Sequence, residues 1–278
     1  MTQWIFALPK VDAHCHVLDP QRFPYPADVA YRPHGQEVGS AAYFSHVMRA
    51  YGVRHALLVG PNSGYGTDNR CLLDAIAQGQ GRFKGVAVVP AAISLEALRA
   101  LRDQGVVGIA FNVALHGLDY YHDIDPLLAH LHTLGMWAQF QVIGDQLVKL
   151  LARIERAGVR TLIDHCGRPT LENGVGAAGV QALHTLARSG LAAVKLSGFA
   201  KFSKAGYPFD DCREQVENLL LAFGQERCLW ASDWPYLRAE SRLDYGTLLT
   251  LAASWFTPEQ CQHMMWDTPM ELFDWKQT

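Results

Sequence analysis

What constrains this chain most is an alternation. Short apolar runs rich in β-branched residues are followed, again and again, by segments with helical spacing. Eight runs read as strands: Val11–Val17, His55–Pro61, Phe83–Pro90, Val106–Val113, Trp137–Val142, Arg160–Gly167, Leu191–Phe199 and Cys228–Pro235. The LLV, VAVV and TLI segments within them are apolar on both faces, as in parallel strands covered by helices. Between them, Leu147, Leu150, Leu151 and Ile154 recur at i, i+3, i+4 and i+7 and lay one stripe along a helix. Leu95, Leu98, Leu101 and Arg102 repeat that pattern less cleanly, and Glu37–Tyr51 supplies the first helix. Gly52, Gly105, Gly135, Gly158 and Gly190 stand just before the next strand, where a left-handed cap ends a helix.

Eight strands, each followed by a helix, predict a closed (β/α)8 TIM barrel, and 278 residues match the usual size of about 250 for that fold. With no composition break between the halves, residues 1–278 read as a single domain, with Gln260–Trp275 as a C-terminal helical tail packed outside the barrel. An open doubly wound sheet would carry a glycine fingerprint after its first strand. HCHVLDP stands there instead. The Pro-, Tyr- and Gly-rich stretch Asp19–Gly39 follows the first strand and would hang over the C-terminal mouth, where such barrels build their sites.

Composition narrows the function. Lys plus Arg number 24 against 27 Asp plus Glu, a net charge of −3 that argues against a nucleic-acid partner. No apolar run approaches the length of a membrane span. Met1–Pro9 shows neither the basic start nor the apolar stretch of a secretory leader. The six cysteines, Cys15, Cys71, Cys166, Cys212, Cys228 and Cys261, form no C-x-x-C pair and suggest reduced thiols in a cytoplasm. Seven Trp and ten Tyr leave room for an aromatic interface, so a homo-oligomer is compatible with the sequence.

Four residues converge on the expected mouth. Asp12, His14 and His16 alternate along the first strand, and a period of two puts them on one face, leaving Val11, Ala13, Cys15 and Val17 toward the helices. Two imidazoles at a strand end can bind a metal or polarise a carbonyl oxygen. His165 closes the sixth strand in TLIDHCGRP, and Asp233 ends the eighth in LWASDWP, sharing its inward face with Leu229 and Ala231. A carboxylate in an apolar barrel is costly unless paired or used. The first and eighth strands are neighbours in a closed barrel, so Asp233 should lie beside His14 and His16. Around this centre, Asn62, Ser63, Tyr65 and Thr67 offer hydrogen bonds from the loop after strand two, although turn chemistry also explains them. Arg168, Lys201 and Arg238 follow strands six, seven and eight and could hold a carboxylate; a solvated surface role is the alternative. His34 and His116 are loop candidates.

The ordered motifs VDAHCHVLDP, IDHCGRP and ASDWP resemble the amidohydrolase superfamily. FPYPADVAY, GTDNR and HCGRP narrow the resemblance to its lactonase branch, which includes 2-pyrone-4,6-dicarboxylate lactonase and sugar-lactone hydrolases, over Lys10 to Trp275. The resemblance implies lactone ring opening, with Asp233 as general base and His14, His16 and His165 polarising the carbonyl. It also implies a small-molecule lactone as partner. Members that hydrolyse the dicarboxylate carry arginines at the end of strand four and in the following loop. The matching positions here are Ala110 and His116. Losing two charged partners, at about 1.5–3 kcal/mol each, weakens dianion binding by several kcal/mol. A less charged, sugar-derived lactone is therefore expected, with Lys201 or Arg238 holding a single carboxylate.

His14, His16, His165 and Asp233 would satisfy tetrahedral zinc in principle. Zinc-holding relatives add a ligand on strand four or five, whereas this chain has Phe111, Asn112, Gln139 and Gln141 there, so the expectation is that no cofactor is required. The competing readings are a zinc-dependent decarboxylase of the same superfamily and a non-catalytic ligand-binding barrel.

Overall fold

The computed structural model describes residues 3–29 and 31–275. The chain runs β1 (Lys10–Cys15), α1 (Ala41–Ala50), β2 (Val53–Val59), α2 (Arg70–Gln78), β3 (Phe83–Ala87), α3 (Leu95–Asp103), β4 (Val106–Asn112) and α4 (Asp125–Leu134). It continues through β5 (Trp137–Gln141), α5 (Gln146–Ala157), β6 (Thr161–Ile163), α6 (Ala178–Arg188), β7 (Ala192–Leu196), α7 (Arg213–Phe223), β8 (Cys228–Trp230) and α8 (Tyr245–Trp255). All eight expected strands are present, parallel, and ordered in space as in sequence. The sheet closes where the segment after β8 returns to β1. The Asp233 amide donates to the His14 carbonyl at 2.8 Å, and the His16 amide donates to the Trp234 carbonyl at 2.8 Å. The alternation in the sequence is a (β/α)8 barrel.

Two apolar layers explain why the strands are apolar on both faces. Leu57, Val59, Val86, Leu162, Ala193 and Leu229 fill the barrel. Ala56, Leu58, Ile163 and Val194 pack outward under the helices. On α5, Leu147, Leu150 and Ile154 are buried, the stripe expected from spacing. Burying one such side chain contributes about 1.5–3 kcal/mol. Helix α1 begins at Ala41, later than expected, because the Ser40 side chain accepts the Tyr43 amide at 3.2 Å and caps it there. Gly35–Glu37 forms a separate 3-10 turn. Gly135 and Gly158 adopt the left-handed caps that end α4 and α5.

The tail is helical but does not lie along the outer wall. After Pro258–Gln262, a π-helical turn (His263–Asp267) and Thr268–Leu272, it passes beneath the N-terminal end of the barrel. Met270, Phe273 and Trp275 join the side chains filling the interior. Phe273 meets Trp137 edge-on, with ring centroids 5.9 Å apart. Lys84 donates to the Phe273 and Asp274 carbonyls, and Arg160 stacks on Trp137 at 4.1 Å while donating to the Leu272 carbonyl. Among the described residues, no helix is long and apolar enough to cross a membrane.

Candidate active site

The first strand departs from strict alternation, and the departure builds the site. Asp12 faces Ala56 and Cys15 faces Leu58 on β2, so Ala13 and His14 together occupy the space opposite one residue. This is a β-bulge. Val11 and Ala13 consequently face the interior and Cys15 faces the helices. Asp12 does not share a face with His14, contrary to the period-two expectation. Its carboxylate accepts from the Tyr245 hydroxyl of α8 at 2.9 Å and from the Ser232 hydroxyl and amide at 2.5 and 3.0 Å. It ties the bulge to the end of β8.

His14, His16, His165 and Asp233 do meet. The Nε2 atoms of His14, His16 and His165 lie 3.7, 3.5 and 3.7 Å from Asp233 Oδ1. Asp233 itself has φ 61°, a left-handed conformation, as it turns away from the strand. His165 follows β6 in the same region, at φ 52°. The room for its ring comes from Gly198, where a Cβ would lie 2.4 Å from His165 Nδ1.

The second nitrogen of each ring has a different partner. His16 Nδ1 lies 2.8 Å from the Val59 carbonyl, which can only accept, so Nδ1 carries a proton and donates. His165 Nδ1 meets the Ser197 hydroxyl at 3.1 Å. His14 Nδ1 lies 3.2 Å from Asp164 Oδ1 and 3.2 Å from the Lys195 ammonium. Lys195 also donates to Gln139 Oε1 at 2.6 Å and pairs with Asp164 Oδ1 at 3.0 Å, while Gln139 Nε2 donates to Asp164 Oδ2 at 2.9 Å. Lys195 and Gln139 are fully buried. Sequence reasoning missed Lys195 and Asp164, although a lysine within the apolar run AAVKLSG was a visible anomaly.

Electrostatics follow from burial and these pairings. Burial opposes ionisation of Asp233, but the Lys201 ammonium, 2.8 Å from Oδ2, holds its carboxyl well below the usual range. Asp164 is likewise buried, and Lys195 and His14 hold it below its ordinary value. Burial pushes His14 down to about 4, against the pull of Asp164, and pushes His165 well below its ordinary value. Both rings are neutral at neutral pH.

Two overlapping sets of three side chains could hold a divalent cation by position. The ligand atoms of His14, His16 and Asp233 lie within 4.8 Å of one another, as do those of His14, Asp164 and His165. The separations from Asp233 approach the roughly 3.4 Å edge of a tetrahedron with zinc–ligand distances of about 2.0–2.1 Å. His16, donating Nδ1–H to a backbone carbonyl, presents an Nε2 lone pair as metal-bound histidines do.

These groups form the floor of a cavity of about 500 Å³ at the C-terminal mouth. Asn62, Ser63, Arg168, Lys201 and Arg238 line it, as the sequence suggested, together with Asn112, Gln141 and Tyr236. Three suggested residues do not. Tyr65 is buried beside the mouth, where its hydroxyl accepts the Asp19 amide at 3.1 Å. Thr67 is exposed, and its carbonyl accepts from Asn69. His116 stacks on Tyr120 at 4.5 Å, away from the cavity. His34 is exposed on its loop. All six cysteines are buried free thiols.

Comparison with known proteins agrees with this fold. The amidohydrolase family model matches residues 11–275. The 4-sulfomuconolactone hydrolase of Rhizobium radiobacter is 30% identical over 281 residues, covering 96% of this chain and 91% of that protein. The 2-pyrone-4,6-dicarboxylate hydrolase of Comamonas testosteroni is 27% identical over 292 residues, covering 96% and 92%. Among solved structures, the probable 2-pyrone-4,6-dicarboxylic acid hydrolase of Acinetobacter baumannii, with citric acid bound, superposes with a TM-score of 0.84 at 26% identity, covering 96% of this chain and 100% of that one. The chain belongs to the amidohydrolase family.

Proposed function

We propose that this protein hydrolyses a lactone, with Asp233 as general base. The observation that carries the reading is one oxygen of a buried, ionised carboxylate facing three imidazole Nε2 atoms within 3.7 Å. Named lactone hydrolases at 30% and 27% identity support the reaction class.

The hydrogen-bond partners divide the work. Asp233 Oδ1 and the His16 Nε2 lone pair both accept, which suits them to hold the two protons of one water. Asp233 takes one of these protons as the water oxygen bonds to the lactone carbonyl carbon. His14 and His165 act as neutral rings with a proton on Nε2, which for His165 requires the Ser197 hydroxyl to donate to Nδ1. They donate to the oxygen that becomes negative, so they bind the transition state more tightly than the ground state. Collapse breaks the ring C–O bond, and Asp233 returns its proton to the leaving alkoxide. The product is the open hydroxy acid. This assigns His16 to the water rather than to the carbonyl, a refinement that the Val59 contact supports.

Lys201 prepares the base. Its ammonium keeps Asp233 ionised in the resting site. A substrate carboxylate arriving at Lys201 would draw that ammonium away and leave Asp233 more basic when water must be deprotonated.

The lining supports a singly charged, sugar-derived lactone. Arg168, Lys201 and Arg238 place cations on the side of β6 to β8, whereas Asn62, Ser63, Asn112 and Gln141 present neutral polar groups opposite. Ala110 lines the wall at the position where the resemblance to dicarboxylate hydrolases implies an arginine. A divalent cation held by His14, His16, His165 and Asp233 would supply Lewis-acid polarisation of the carbonyl. We infer that turnover does not require it, because β4 and β5 add no ligand and Gln139 is committed to Lys195 and Asp164. The buried thiols suit a reducing cytoplasm.

The test is a panel of neutral, singly charged and dicarboxylate lactones followed by acid release, before and after chelation. The expected result is hydrolysis of a singly charged lactone, unchanged by chelation. Acid release from no lactone would overturn the reading, and loss on chelation would overturn its metal-independent part.

A further inference from the structure

Beneath the catalytic histidines lies a buried polar group that the proposed reaction does not use directly. Lys195 is fully buried in β7. It has three partners: Gln139 Oε1 at 2.6 Å, Asp164 Oδ1 at 3.0 Å and His14 Nδ1 at 3.2 Å. An ammonium has three N–H donors and no lone pair. Asp164 is satisfied at Oδ2 by Gln139 and at Oδ1 by Lys195.

Only one proton position on His14 satisfies every member. A proton on Nδ1 would face the Lys195 ammonium, and one lysine donor would be left without an acceptor in a site closed to water. With Nδ1 bare, each lysine N–H has an acceptor and the imidazole proton sits on Nε2, the nitrogen that faces Asp233 and the cavity floor. Incomplete buried networks are costly, so the satisfied arrangement prevails.

We propose that Lys195, held by Asp164 and Gln139, is a positioning residue that fixes the proton of His14 on Nε2, making His14 a hydrogen-bond donor to the substrate carbonyl and a poor metal ligand. The contrast with His16 supports this. There the Val59 carbonyl forces the opposite tautomer, with the lone pair toward the cavity. Two neighbouring imidazoles, 5.0 Å apart between ring centroids, thus present one donor and one acceptor to the same cavity. Had Asp164 alone faced His14 Nδ1, it would have taken the Nδ1 proton and left an Nε2 lone pair, the arrangement of carboxylate–histidine–metal sites. Lys195 reverses that outcome.

The inference rests on the lactonase reading for its catalytic consequence, but the position of the proton is measured without substrate. In ¹⁵N-histidine-labelled protein, with His14 identified by loss of its signals in His14→Gln, the long-range ¹H–¹⁵N pattern should show the Nε2–H tautomer. Lys195→Met should convert it to Nδ1–H. In a zinc titration against a chromophoric chelator, the same variant should bind zinc about 10–100-fold more tightly than the parent. Its kcat on the best lactone of the panel should fall about 10²-fold with KM little changed, the loss expected for one oxyanion donor. An Nδ1–H tautomer in the parent protein overturns the proposal without any variant. A folded Lys195→Met protein that keeps the Nε2–H pattern, or that binds zinc no more tightly, also overturns it. If the tautomer behaves as stated and no lactone is turned over, the lactonase reading fails and the positioning role stands.

Discussion

Lys201 Nζ lies 2.8 Å from Asp233 Oδ2, the carboxylate oxygen opposite the one that the three histidines surround. This cation holds the Asp233 carboxyl well below its ordinary value despite burial. The basic form exists above that lowered pKa and disappears as pH falls through it. The acidic limb of kcat/KM in the parent protein should therefore lie below the ordinary carboxylate value of about 3.9. In Lys201→Met, burial acts with less opposition and the limb should move to higher pH. An unchanged limb in a folded variant contradicts the coupling.

Arg168 lines the cavity with its buried Nε free of any hydrogen-bond partner among the described residues. Burial works against its charge, with Asp233 opposing that effect. A substrate carboxylate would supply the missing acceptor. Arg168→Met should raise KM for a singly charged lactone about 10–100-fold, from the roughly 1.5–3 kcal/mol of one charged hydrogen bond, and change kcat little. A neutral lactone should be unaffected, and equal losses on both substrates contradict a carboxylate contact.

Gly198 has φ 64°, and an added Cβ would sit 2.4 Å from His165 Nδ1. Gly198→Ala should lose about 1–2 kcal/mol from the left-handed backbone alone. Displacing His165 by even about 1 Å should lower kcat about 10²-fold. Thermal unfolding and steady-state kinetics together read both effects. Full activity in this variant contradicts the placement of His165 at the reacting centre.

At the opposite end of the barrel, Phe273 is buried against Trp137. Phe273→Ala should cost about 3–5 kcal/mol, as other large-to-small core changes do. It should leave kcat unchanged where the protein remains folded, because the plug and the catalytic cluster occupy opposite mouths. Denaturant unfolding and assays below the transition separate the two.

The strands were legible because each is an apolar run between helices, and His14, His16, His165 and Asp233 because polar residues at strand ends stand out against such runs. What stayed hidden depends on local irregularity or on distance along the chain. The face of Asp12 could not be read, since alternation assumes a regular strand and the bulge shifts Ala13 and His14 by one position. Lys195 and Asp164 lie far apart in sequence and become meaningful only when β6 and β7 pair beside His14. The tail's helical spacing was visible, but not the end of the barrel that its Met and aromatic side chains would close. Tyr65 and Thr67 belong to a loop whose path no periodicity sets, and His116, expected on a loop, ends a one-turn helix (Val113–His116) directly after β4.

Hydrolysis here turns on proton abstraction by one carboxylate. Asp233→Asn preserves size while removing the base, and its hydrolysis of the best lactone substrate is the most direct measurement. Turnover should fall at least about 10²-fold, with the unfolding transition still cooperative. Turnover equal to that of the parent enzyme would contradict a catalytic role for Asp233 and, with it, the mechanism.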